Sequence, residues 1–63
     1  MRNVGDEEVI AAARNLVARR GSTALDEAAG RAKELERLGR WPEHALAVRV
    51  LNAVEILLDL RLS

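Results

Sequence analysis

The placement of the large aliphatic side chains constrains this chain more than any other feature. Ten of its eighteen valine, leucine and isoleucine residues lie beyond Pro42, in the last third of the sequence. They form two adjoining stripes at helical spacing. One is Leu46, Val50, Ala53, Leu57 and Leu60; the other is Ala47, Leu51, Val54 and Leu58. Together the stripes cover roughly half a helix circumference, against the stripe of about 100° that a surface helix usually shows. Arg49, Asn52, Glu55 and Asp59 hold the remaining polar face. Such a helix needs cover on two sides, from its own chain or from another. Pro42 suits its first turn, where a missing N–H would be unpaired anyway, and the pattern predicts a helix over 42–61.

The rest of the chain is also written for helices. Alanine, leucine, arginine and glutamate dominate, and all favour helix; no alternating run of β-branched or aromatic residues marks a strand. Gly21 and Gly39 punctuate the chain. The first segment, 6–20, starts at Asp6 as N-cap, with Glu7 and Glu8 at the positive end of the dipole, and ends on Arg19 and Arg20 before Gly21. Val9, Ile10, Ala13, Leu16 and Val17 share its apolar face. The second, 23–38, has Thr23 and Asp26 spaced as a loose capping box and a stripe of Leu25, Ala28, Ala32, Leu35 and Leu38. Alanines in the middle of that stripe let a neighbouring helix approach closely. Gly30 falls on its polar side. The expected fold is all-α: one domain, 1–63, built as a three-helix antiparallel bundle or an α-hairpin plus a longer third helix.

Sixty-three residues make a core that supplies only about 3–5 kcal/mol, and small folds commonly add a staple. With no cysteine and a single histidine, His44, neither a disulfide nor zinc is expected, and no other cofactor or metal is called for. Good helix packing or association with another chain remains. Ten basic and ten acidic residues balance, so nothing announces an anionic partner, and copies of the chain are not kept apart by charge. No apolar signal core follows Met1-Arg2-Asn3 and no stretch of about 18 apolar residues occurs, so a cytoplasmic location is the default expectation and no membrane partner is expected.

Arg20-Gly21, Ala28, Arg31-Ala32, Glu34-Leu35, Gly39, Val50-Leu51, Ala53-Val54-Glu55 and Leu57 form a pattern that resembles a loose group of short alphaproteobacterial proteins, a domain of unknown function. The pattern runs from Val9 to Leu57. That group often carries histidine where Arg20 stands and tryptophan where Ala47 stands; the tryptophan here is Trp41. The resemblance implies three helices and a bacterial source, and no activity.

Candidate chemistry is sparse. His44 adjoins Glu43 in sequence but does not share its helix face, and no nucleophile accompanies it; a first-turn histidine explains it, and no enzyme is expected. Glu55 and Asp59, four apart with Asn52 nearby, have the spacing of paired carboxylates for metal or acid–base chemistry, but they lie on the one polar face of an otherwise apolar helix, which a solvated face explains. Arg14, Arg19, Arg20, Arg37 and Arg40 suggest a basic rim, and helix–glycine–helix suggests a small DNA-binding regulator with segment two as reader. Against that reading, segment two carries Asp26, Glu27, Glu34 and Glu36. Trp41 beside Pro42 is either a binding anchor or, by preference, a hydrophobic staple at the start of helix three. A membrane-surface role for helix three is disfavoured by the acids on its polar face.

The broad apolar face of helix three is the one feature above background. It predicts a protein-interaction module: a homodimer, or an adaptor or subunit bound to another protein. Of the two stripes, the shorter is expected to face the partner, giving Ala47, Leu51, Val54, Leu58 and Leu62 as interface, while the longer packs along the two shorter helices.

Overall fold

The computed structural model describes residues 4–62, with side chains from 6 to 60. Three α-helical segments appear: α1 (Val4–Arg20), α2 (Ala24–Arg37) and α3 (Trp41–Leu62), with a 3-10 turn at Gly21–Thr23 between the first two. The segments do not amount to three separate helices. Helical structure is continuous from Val4 to Arg37, and α1 passes through the 3-10 turn directly into α2. The fold is therefore all-α but consists of two helices, a bent one over 4–37 and α3, which corrects the expected three-helix bundle.

The bend has a local cause. Gly21 adopts φ +59°, a left-handed conformation that glycine takes without a Cβ penalty. Ala24 N–H then bonds the Gly21 carbonyl to close the 3-10 turn. The Thr23 hydroxyl donates to the Arg20 carbonyl at 2.8 Å, filling an acceptor that the end of α1 would leave open. That hydroxyl is directed backwards, so the expected capping box with Asp26 does not form. A straight helix of the same 34 residues would be about 51 Å long, whereas the longest dimension of the body is 35 Å. The two limbs meet only near their corner, and each packs separately on α3. At Gly21 the chain passes straight through the 3-10 turn into α2, and the two limbs diverge from that corner.

The reversal comes at Gly39, with φ +70°. Arg40 N–H bonds the Leu35 carbonyl and Gly39 N–H bonds the Glu36 carbonyl, both at 3.0 Å. These are the two bonds of a Schellman motif, which ends α2 and satisfies its last carbonyls. α3 begins immediately, with His44 N–H bonding the Arg40 carbonyl at 2.8 Å.

The body measures 35 × 31 × 17 Å. Its thin dimension is about that of two packed helices, so no side chain lies far from solvent. The buried residues are Val9, Ala13 and Val17 of α1, Ala24, Ala28, Ala32 and Leu35 of α2, and Ala47 and Val54 of α3. Five of these nine are alanine and one is leucine. Small side chains on the limbs let α3 lie close, and the larger aliphatics flank the contact, partly covered.

Candidate functional site

Two core clusters fix the rotation of α3. Val54 joins Ala13, Val17, Ala24 and Ala28, with Leu51 and Leu58 packed beside it. Ala47 joins Ala32 and Leu35. The shorter stripe, expected to face a partner, is thus the seam on which the chain packs upon itself. Ala47 and Val54 are buried, Leu51 and Leu58 half-buried, and the side chain of Leu62 lies outside the described residues. The expectation that this stripe faces a partner is corrected at Ala47 and Val54, which are buried against the alanines of α1 and α2.

The longer stripe lies further out at its ends, while Val50, Ala53 and Leu57 also pack against the first cluster. Val50, Ala53 and Leu57 are half-buried at the edge of the core, while Leu46 and Leu60 are 45% and 67% exposed. Ile56, 61% exposed, continues the apolar surface onto the solvent side of α3. At the N-terminal half of this stripe the three helical segments enclose a groove of about 390 Å³. Its apolar lining is Ala12, Leu16, Ala28, Leu46, Ala47 and Val50; its polar rim is Asn15, Arg19, Glu27, Arg31 and Glu43. Leu16 of α1 is half-buried between core and groove, while Arg19 and Arg31 are exposed.

The charged side chains form short local pairs. Arg20 Nε lies 3.1 Å from Glu27 Oε2, joining α1 to α2 across the bend. Arg37 Nε donates to Glu34 Oε2 at 3.2 Å, and this bonding raises the Arg37 pKa above its ordinary value. Looser approaches of 3.9 Å link Arg40 with Glu43 and Arg49 with Asp6. The five arginines read as a basic rim are therefore divided: Arg20, Arg37 and Arg40 face carboxylates, while Arg14 and Arg19 stand apart on α1. Exposed Asp26, Glu27, Glu34 and Glu36 of α2 alternate with Arg31, Lys33 and Arg37, a mixed surface without the basic concentration that holds a phosphate backbone.

His44 is half-buried, with Nε2 3.9 Å from Glu36 Oε2. The Trp41 ring stands edge-on to it, centroids 5.5 Å apart at 82°. Trp41 itself is 58% exposed, so it does not form the buried staple expected at the entrance of α3. Glu55 and Asp59 are exposed on α3. Among the described residues, no three His, Cys, Asp or Glu side chains group to hold a metal ion. No helix of the described residues is long and apolar enough to cross a membrane.

Sequence reasoning assigned the longer stripe to the core, where Val50, Ala53 and Leu57 pack, but missed that Leu46 and Leu60 stay exposed and that Ala47 and Val54 are buried. Comparison with protein-family models, curated proteins and solved structures returns no match, so the chain is assigned here to no family.

Proposed function

We propose that this chain is a protein-interaction module whose contact face is the outer stripe of α3, Leu46, Val50, Ala53, Leu57 and Leu60, and whose partner is a second copy of itself. One observation carries the reading: over four helical turns no residue of this stripe is fully covered, with Leu46 and Leu60 exposed and Val50, Ala53 and Leu57 partly buried beside the core. Isolated exposed leucines are ordinary. A continuous row bordering an apolar groove is the form in which interaction surfaces are found. Two further facts support it. The core is built mostly of alanine, so the chain alone gains little from burial, and association supplies the missing cover. The balanced charge removes a long-range barrier between copies.

Sedimentation of the wild-type chain across the micromolar range tests the proposal. A mass of two chains is expected, and Leu60→Glu should shift it towards one chain with helix content retained. A folded monomer at every concentration would overturn self-association.

A further inference from the structure

The groove at the N-terminal half of α3 is walled by a single chain, with α1, α2 and α3 each supplying part of it. Its apolar lining includes Ala12 and Leu16 of α1 and Leu46 and Val50 of α3. The charged residues of its rim are Arg19, Glu27, Arg31 and Glu43. Counted alone, these four cancel, but their pairing is one-sided. Glu27 lies 3.1 Å from Arg20 Nε and Glu43 lies 3.9 Å from Arg40 Nε, and neither of those arginines lines the groove. Among the described residues Arg19 and Arg31 have no ion-pair partner. Both acids of the rim are thus answered from outside it, and both bases are open. Arg19 stands in the last turn of α1 and Arg31 within α2, so the two exposed guanidinium groups come from different walls.

An apolar floor below two uncommitted guanidinium groups matches a slender apolar body that ends in an anion. Size narrows the choice further. About 390 Å³ lies within the range of small-molecule sites. An α-helix 10–12 Å across takes up roughly 500 Å³ per turn, so a helix of another chain does not fit inside. A carboxylate matches the planar donor fork of arginine.

From this we infer that the groove is a binding site for a dissolved medium-chain carboxylate, its chain against Leu16, Leu46 and Val50 and its head group held by Arg19 and Arg31. Burial of the chain supplies most of the affinity, and the arginines select the sign of the head group. The site is complete in one chain and does not depend on self-association. Leu46 and Val50 belong both to the groove and to the proposed contact face, so the ligand and a second copy compete for them.

Octanoate is the probe, followed by calorimetry and by amide chemical shifts. It is titrated into the wild-type chain and into Leu60→Glu, which alters the contact face and leaves the groove intact. A dissociation constant below about 1 mM is expected, with shifts gathered at Ala12, Leu16, Ala28 and Val50. Octylammonium, the same chain with the opposite charge, should bind roughly tenfold more weakly. Arg19→Gln and Arg31→Gln should each weaken octanoate about fourfold and leave octylammonium no weaker. Ala12→Leu, at an exposed position, should fill the groove and abolish binding with helix content kept; should it cost helix content, the two arginine variants carry the test. Absence of octanoate binding to both chains, equal binding of octanoate and octylammonium, or shifts at Leu57 and Leu60 instead of the groove would overturn the proposal. Binding to phosphatidylglycerol vesicles without any response to octanoate would assign the arginines to a lipid surface and overturn it as well. Self-association is decided separately, by the mass of the wild-type chain.

Discussion

Val54 of α3 and Ala13 of α1, each without solvent exposure, belong to one buried cluster, and that cluster also takes Val17, Ala24 and Ala28. Val54 is thus the residue where both limbs of the bent helix are joined to α3. Removing two methyl groups there forfeits roughly 0.8 kcal/mol each, and the cavity left behind adds to the loss. Val54→Ala should therefore destabilise the fold by about 2 kcal/mol, a large part of what so small a core supplies. Urea unfolding gives the number; a change under about 0.5 kcal/mol would mean that α3 is not seated on this residue.

The same substitution should have opposite signs at two glycines. Gly30 lies within α2, exposed, and a Cβ built there meets nothing within 4 Å. Gly30→Ala should stabilise by roughly 0.5–1 kcal/mol through lower backbone entropy in the unfolded chain. Gly39 also has open space around it, but its φ is +70°. Gly39→Ala should destabilise by about 1 kcal/mol. Thermal unfolding of the two variants, side by side, isolates the backbone strain, since neither site is crowded.

The all-α class was legible because helix formers fill the chain and no segment alternates. The two turns were legible as positions, since only glycine takes a positive φ cheaply, and Gly21 and Gly39 are where it occurs. What the glycines do was not. A left-handed residue can end a helix in a Schellman motif, as Gly39 does, or tighten into a 3-10 turn that hands the chain on, as Gly21 does. The choice depends on Thr23 turning its hydroxyl back to Arg20, a competition that Thr23-to-Asp26 spacing does not reveal. The rotation of α3 was legible only in part. Each of its two stripes carries one alanine and one valine, so side-chain size did not reveal that Ala47 and Val54 are buried while Leu46 and Leu60 stay exposed.

Trp41, the one tryptophan, is 58% exposed and set edge-on to His44. Its emission in the folded chain should lie close to that of tryptophan in water, and acrylamide should quench it nearly as well as in the unfolded state. Trp41→Ala should change stability by less than about 1 kcal/mol, since little of the ring is taken from solvent. Strongly blue-shifted emission that quencher fails to reach would show the ring covered, either by its own chain or by a second one seated over the start of α3.

Leu58 and Leu60 stand two residues apart on α3, and the rotation of the helix gives them different fates. Leu58 is half-buried against the cluster of Ala13, Val17, Ala24, Ala28 and Val54. A carboxylate there would have to be brought next to that apolar surface or drive the helix away from it. Leu58→Glu should cost about 2–4 kcal/mol and leave the chain largely unfolded at ordinary temperature. Leu60 is 67% exposed. Leu60→Glu should change the stability of the isolated chain by no more than about 0.5 kcal/mol. Its cost should appear only where copies associate, as a melting temperature that no longer rises with protein concentration. Melting both variants over a range of concentrations tests the assignment of the two faces directly. If Leu58→Glu kept the wild-type helix content while Leu60→Glu lost it, the inner and outer faces of α3 would have to be exchanged.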